Sequence, residues 1–379
     1  MIYLDNAATT KISEDVIDAV TSSMKTDYFN PSASYSAAID CSKKIENCRE
    51  IISKTINASK DEIYFTSCAS EGNNLILRGT LKKGSHVITT PFEHSSIKKT
   101  IEYLEREGVD VTYLHLNSEG LVDLEELKKS IRKETVLVAI MHVNNEVGTI
   151  QNIKEIGSLI KETSSRAKFH VDAVQSYGKL NIDVKNMNID SLTVSAHKIN
   201  GPKGVGFSYI TKDFNPIPLI IGGEQEKGLR AGTYNTPGII GLTVASESKN
   251  KSIEKNFQYV SEIKSYFIKK FSDIERIVIN SPIGQNCSPY ILNVSFLGIR
   301  GEVLLNFLSG ENIFVSTGSA CTSKSKAGVV GSHVLEAVGL KNEQIISAIR
   351  FSFSPETTKE EIDKTYDTIV RGLKLFRRK

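Results

Sequence analysis

This sequence is short of the features that would place it in a specialised class. Its five cysteines are an odd number in 379 residues, and none forms a Cys-x-x-Cys pair. That excludes a disulfide framework or a zinc site as the organising device. No apolar stretch approaches the length that crosses a bilayer. The opening MIYLDNAATT lacks both a basic start and an apolar run, so no signal peptide is expected, and the expected compartment is the cytoplasm. An excess of one charge is missing too. Forty-seven Lys and Arg stand against 44 Asp and Glu, a formal charge of +3, without the basic face of a nucleic-acid-binding protein. Arg377-Arg378-Lys379 reads as a solvated terminus. No Gly-x-Gly-x-x-Gly follows the first strand-like run, which disfavours dinucleotide binding. Internal repeats and low-complexity segments are absent.

What is present suits a globular enzyme: 40% hydrophobic and 24% charged residues, in a chain long enough to bury a large core. Seven runs read as strands: EIYFT (62–66), HVITT (86–90), VTYL (111–114), VLVAIMHV (136–143), KFHVDA (168–173), SLTVSA (191–196) and GVGFSYI (204–210). Amphipathic helical patterns such as SIKKTIEYLEREG lie between most of them. The near-continuous apolar character of the middle strands fits burial on both faces. The fold class expected is therefore α/β, with a large domain built on a mostly parallel seven-stranded sheet flanked by helices. From about Thr236 the pattern changes to one long helical stretch reaching about Phe271. RIVIN, YILNVSF and IRFSF then alternate with helices near 301–309, 331–347 and 358–376, a smaller α+β domain. The large domain is assigned to 14–250, and the small one to 1–13 together with 251–379.

Ligands of such sheets bind beyond the carboxyl ends of the strands, so the polar residues just after those runs carry the functional signal. SAHKINGPKG places Ser195, His197 and Lys198 there. A lysine in a cleft can shed its proton and form a Schiff base, although a surface lysine beside a turn has the same look. HVDAVQS places Asp172 and Gln175 after another strand. A buried carboxylate needs a cationic or donor partner, and the protonated ring nitrogen of pyridoxal phosphate is one; a helix N-cap aspartate is the plain alternative. FTSCASEGNN is a strand, a small-residue turn and a helix start, where backbone N–H groups and the Ser70 hydroxyl suit a phosphate. His94 follows a strand in FEHSS and either caps a helix or lies on an aromatic cofactor. Asn144, Asn145 and Glu146 follow the strongest strand. Among the cysteines, Cys41 and Cys48 lie seven apart on one helix face and read as packing; Cys287 has no evident partner. Cys68 sits in the phosphate-type turn. Cys321 sits in VSTGSACTSKSKAG, a loop of small and polar residues where no core can form.

Taken together, FTSCASEGNN, EHSS, MHVNNEVGTIQ, HVDAVQSYGK, SAHKINGPKGVGF, RAGTYN and STGSACTS occur in an order that resembles the cysteine desulfurases, fold-type-I pyridoxal-phosphate enzymes of the class-V aminotransferase superfamily. The likeness runs from YLDNAATT to IRFSFSPETTKEEID, and the long stretch after the last cysteine resembles the group with an extended catalytic loop. The resemblance implies that Lys198 bonds the cofactor aldehyde, Asp172 pairs with the pyridine nitrogen, Gln175 reaches the ring hydroxyl and His94 stacks on the ring. It implies that Ala69 through its backbone, Ser70, Ser195 and His197 hold the phosphate, and that Thr233 reaches the phosphate of a neighbouring subunit in a homodimer. Asn145 and Arg350 become the grips on the substrate carboxylate, an arginine fork being well matched to one. Cys321 becomes the sulfur acceptor.

Three departures stand out: Cys68 where the family usually has Gly, Ser70 for Thr, and Tyr35 where a His is common. The reaction implied turns L-cysteine into L-alanine with a persulfide on Cys321. An acceptor protein then takes the sulfur, such as an iron–sulfur scaffold or a tRNA-thiolation enzyme. No membrane or direct nucleic-acid contact is expected. Nor is a resident metal, with Cys321 at most a transient iron–sulfur ligand. A selenocysteine lyase or an aminotransferase of the same fold is the alternative, since either would share Lys198 and Asp172 without needing a mobile thiol.

Overall fold

The computed structural model describes residues 1–317 and 331–377. In chain order these form β1 (Ile2–Tyr3), α1 (Glu14–Thr26), α2 (Ser36–Lys54), β2 (Ile63–Thr66), α3 (Ala69–Thr80), β3 (His86–Thr89), α4 (Ser95–Arg106), β4 (Asp110–Tyr113), α5 (Leu124–Ser130), β5 (Thr135–Met141), α6 (Ile153–Thr163), β6 (Lys168–Asp172), β7 (Ser191–Ser195) and β8 (Gly206–Ile210). There follow α7 (Thr236–Asn250), α8 (Ile253–Lys270), β9 (Ile277–Ile279), β10 (Ile291–Phe296), α9 (Gly301–Gly310), β11 (Ile313–Phe314), α10 (His333–Ala337), α11 (Asn342–Ile346), β12 (Ala348–Ser352) and α12 (Lys359–Phe376).

All seven strand-like runs enter one sheet, in the order β2-β8-β7-β6-β5-β3-β4. The pairings β7–β6, β6–β5, β5–β3 and β3–β4 are parallel, and β8 alone runs against its neighbours β2 and β7. The carboxyl ends of β2, β3, β5, β6 and β7 therefore share one edge. Helices pack through apolar faces of helical period: α4 buries Ile97, Ile101 and Leu104, and α6 buries Ile153, Ile156 and Ile160. Cys41 and Cys48 lie buried in α2, as their spacing implies.

A second apolar cluster gathers Phe267, Phe271, Phe296, Phe351 and Phe353 around an antiparallel sheet, β12-β10-β9. The N-terminal strand joins it: β1 pairs in parallel with β11, and Ile2 and Leu4 belong to the same cluster.

Two helical expectations are corrected. The stretch 236–271 is not one helix. Its backbone leaves helical geometry at Ser252 (φ −127°, ψ 14°), which splits it into α7 and α8. The 331–347 stretch is two short helices separated at Gly339, whose φ of +80° ends a helical turn without the strain a side chain would bring. Arg377 is also less free than a solvated end, because it donates to the carbonyls of Glu275 and Arg276. Among the described residues no helix is long and apolar enough to cross a membrane.

Candidate active site

The shared edge of the sheet opens into a cavity of about 480 Å³. Its wall includes residues from the ends of β2, β3, β5, β6 and β7, plus Asp5, Ala7 and Ala8 from the N-terminal segment and Ser316, Thr317, His333 and Arg350 from the C-terminal part. The close approach of α3 to the sheet sets the position of one wall. A Cβ on Gly72 would stand 2.5 Å from Ser208 Oγ, and one on Gly206 would stand 2.3 Å from the Val194 carbonyl oxygen. Glycine at both points lets the start of α3 lie against β7 and β8.

Lys198 follows β7 by one tight turn, and its Nζ donates to the carbonyls of Ala7 (2.8 Å) and Ala8 (2.7 Å). Gln175 Nε2 donates to the same Ala7 oxygen at 2.9 Å. Asp172 ends β6 and is 3% exposed; its carboxylate accepts from Val174 N and from Asn73 Nδ2, each at 3.0 Å. At the next strand end Ser195 Oγ accepts from Ala69 N at 2.8 Å, which ties β7 to the start of α3. His197 places Nδ1 3.1 Å from Thr9 Oγ1. Burial, with Lys198 and Lys203 nearby, pulls its pKa down to about 4, so it is neutral at neutral pH.

Across the cavity, His94 caps α4, and its Nδ1 accepts from Ser96 N at 3.2 Å. Burial lowers its pKa; the Asp172 charge opposes that shift and the Lys198 charge adds to it. Arg350 donates through Nη2 to Asp5 Oδ1 (2.7 Å) and through Nη1 to the Asn145 carbonyl (3.0 Å). Two atoms here are buried with no hydrogen-bond partner among the described residues, Arg350 Nε and Asn145 Oδ1. Leaving such atoms without a partner is costly.

The class-V aminotransferase model matches residues 2–365. The chain belongs to that family. It is 42% identical over 379 residues to the cysteine desulfurase IscS of Clostridium botulinum, covering 98% of this chain and 94% of that one. To the putative cysteine desulfurase IscS 1 of Bacillus subtilis it is also 42% identical, over 95% of each chain. Among solved structures, a NifS-like protein superposes with a TM-score of 0.92 at 36% identity, over 99% of both chains. SspA in complex with cysteine superposes at 0.81 with 37% identity, over 94% of this chain and all of that one. Within the class-V aminotransferases the chain thus falls in the cysteine desulfurase group, whose members work with pyridoxal phosphate. The donor set fits that cofactor. A lysine amine and a buried carboxylate stand at adjacent strand ends, a helix start faces the same space, and the cavity is of small-molecule size.

For a class-V aminotransferase, the sequence reading brings together Ala69, Ser70, His94, Asn145, Asp172, Gln175, Ser195, His197, Lys198 and Arg350, all of which line this one cavity. Thr233 does not; it is exposed in the 230–235 segment, outside that wall. Tyr35 is likewise on the surface, edge-on to Phe29. Cys321 lies outside the described residues. Cys68 lines the cavity with an extended backbone (φ −175°), which any residue adopts, so the residue found there in place of Gly costs no strain. Cys287 does have a partner: Lys264 Nζ donates to its sulfur at 2.8 Å.

Sequence reasoning missed several groups. Asn73, wholly buried, sits behind Asp172. Glu93 is wholly buried, and burial raises its pKa to about 8. Glu146, which the sequence did single out after the strongest strand, accepts from Ser332 Oγ and is pushed up to about 7 by burial, with Arg350 pulling the other way. For Glu93 the available signal was a carboxylate directly after a strand, since EHSS carries it beside His94.

Proposed function

We propose that this protein is a cysteine desulfurase that converts L-cysteine to L-alanine and keeps the sulfur as a persulfide on Cys321. The observation that carries the reading is the convergence of Lys198, Asp172, Asn145 and Arg350 on one cavity. That convergence occurs in a chain of desulfurase-like sequence throughout.

Pyridoxal phosphate, when bound, supplies an electron sink beside the amino-bearing carbon of the substrate. Lys198 would hold its aldehyde, Asp172 its ring nitrogen, Gln175 its ring hydroxyl and His94 one ring face. Ala69 N, Ser70, Ser195 and His197 would hold its phosphate, completed by Thr233 of a second copy in a homodimer. The Arg350 guanidinium and the Asn145 side-chain amide N–H would donate to the substrate carboxylate, which fixes the amino-bearing carbon near Lys198. Lys198 Nζ then moves the proton at that carbon, an intramolecular transfer favoured by its fixed position. The thiolate of Cys321 attacks the substrate sulfur. The S–S bond forms as the C–S bond breaks, and the chain retains a persulfide. A downstream acceptor protein, an iron–sulfur scaffold or a tRNA-thiolation enzyme, takes that sulfur in the cytoplasm. We read the chain as two domains, 14–250 around the large sheet and 1–13 with 251–379 around the small one. The separation of the main apolar cluster of the large sheet from the one around β12-β10-β9, together with the β1–β11 pairing, supports that division.

The test is mass spectrometry of purified protein incubated with L-cysteine. The Cys321 peptide should gain one sulfur, about 32 Da, and L-alanine should appear. Alanine release that persists undiminished in Cys321→Ser would point to a lyase that needs no protein thiol.

A further inference from the structure

Two imidazoles face the cavity, and their hydrogen bonds put the proton on Nε2 in both but engage a different ring nitrogen in each. His94 Nδ1 accepts the Ser96 backbone N–H. A backbone amide only donates, so in neutral His94 the lone pair at Nδ1 is engaged and the proton sits on Nε2. His94 can offer the cavity a proton but has no free lone pair with which to take one. In His333 it is the protonated nitrogen that is engaged. Its Nε2 lies 2.9 Å from the Glu93 carbonyl oxygen, which only accepts, so Nε2 carries the proton and Nδ1 keeps its lone pair.

Among the described residues no hydrogen bond reaches that Nδ1, and His333 lines the cavity. The carbonyl that fixes the ring is itself fixed, because Glu93 is wholly buried and its carboxyl accepts from Thr90 Oγ1 (2.7 Å) and Met141 N (3.0 Å). Burial, together with the charges of Lys98, Lys99 and His94 on and before α4, holds the His333 pKa below its usual value; the bond to Glu93 acts the other way. The ring is therefore in its basic form at neutral pH.

We propose that His333 is a further catalytic residue, the one that carries the proton of sulfur transfer from the attacked sulfur to the carbon that the sulfur leaves. The inference rests on the desulfurase reading. As the Cys321 thiolate bonds to the substrate sulfur, the C–S electron pair passes to the carbon skeleton, and the S–H proton passes to His333 Nδ1. The imidazolium then gives that proton to the same carbon, which becomes the methyl group of alanine. Thiolate and substrate thiol become persulfide anion and a C–H bond. The transferred sulfur is oxidised, the carbon is reduced, and charge and protons balance with no outside reagent. A persulfide is a stronger acid than a thiol, so the proton is released as the S–S bond forms, and a free base at that point is what the step needs.

The experiment compares the holoenzyme with His333→Gln, whose amide N–H can still donate to the Glu93 carbonyl, and with His333→Ala. Both variants should keep cofactor absorbance and KM for L-cysteine while kcat falls by about 10²-fold or more. The acid limb of the kcat profile should flatten, and added imidazole should restore turnover to His333→Ala. Independently of activity, nitrogen NMR of the histidine rings should show His333 protonated at Nε2 and bare at Nδ1 at neutral pH. Wild-type kcat in His333→Gln, absence of imidazole rescue, the opposite tautomer, or an acid limb abolished by Glu146→Gln instead would each overturn the proposal. If wild-type enzyme makes no alanine from cysteine, the desulfurase reading fails, and the NMR result then reports on the ring alone.

Discussion

Asn73 Nδ2 donates to Asp172 Oδ2 across 3.0 Å, in a part of the protein that water does not reach. The same amide is saturated. Its second N–H goes to Ser96 Oγ at 2.8 Å, and its oxygen accepts from Thr193 Oγ1 (2.6 Å) and His170 Nε2 (3.0 Å). Burial drives the His170 pKa down to about 3, so that ring is neutral and donates only from Nε2. Asn73 thus orients Asp172 from behind and leaves the rest of its carboxylate for the cavity. Asn73→Ala strands three buried groups at once and should cost about 1–3 kcal/mol of stability. It should also loosen the cofactor about tenfold if 1.4 kcal/mol of that loss falls on Asp172. Urea denaturation and cofactor titration by absorbance check both; a variant with unchanged cofactor affinity would show that Asp172 needs no such support.

The seven strands and the residues that follow them were legible because period-2 and continuous apolar runs mark strands, and polar residues just past them mark a sheet edge. Strand order was not legible. Nothing local in GVGFSYI says that β8 inserts between β2 and β7 and runs against both. Asn73 was invisible for a related reason. A polar residue inside an amphipathic helix looks solvated until α3 is known to pack it against β6 and β7. His333 lies 240 positions from the Glu93 carbonyl that fixes its tautomer, and only tertiary structure brings the two together.

Two cysteines compete for the role of sulfur acceptor, since Cys68 lines the cavity. Cys68 precedes a helix and is tied into the turn, with Gly72 N donating to its carbonyl at 3.2 Å and Ser67 Oγ lying 3.8 Å from its sulfur. A thiol held this way cannot carry sulfur out to another protein. Cys68→Ala should release sulfide from L-cysteine at the wild-type rate under added reductant, whereas Cys321→Ser should fall to background. A persulfide found on the Cys68 peptide and missing from the Cys321 peptide would reverse the assignment.

Arg350 is aimed before any substrate arrives. Its Nη2 is held by Asp5 and its Nη1 by the Asn145 carbonyl, while Nε is buried with no partner among the described residues. A carboxylate that meets this fixed guanidinium makes a charge-assisted bond at a prepaid geometry. Arg350→Ala should raise KM for L-cysteine by about 10–100-fold. Arg350→Lys should recover only part of that, because a point charge cannot reproduce the fork. Steady-state kinetics with saturating cofactor separate this from a kcat effect. A drop in kcat at unchanged KM would place Arg350 in the chemical step instead.

Glu93 makes a prediction about pH that does not depend on turnover. Burial raises its carboxyl to about 8, the bonds from Thr90 and Met141 N only partly offset that shift, and its Oε2 has no partner. The folded protein therefore holds this proton more tightly than the unfolded chain, where a glutamate titrates near its model value of 4.5. The stability it contributes is complete below that value, falls as pH rises through the window up to about 8, and is gone above it. Glu93→Gln keeps an oxygen to accept from Thr90 and Met141 and removes the titration. Chemical denaturation across the window should show wild type losing stability relative to Glu93→Gln, by a few kcal/mol at the alkaline end. The two curves should converge toward acid. Parallel curves would mean that Glu93 ionises in the fold as freely as in the unfolded chain, and the carbonyl that orients His333 would then sit beside a buried negative charge.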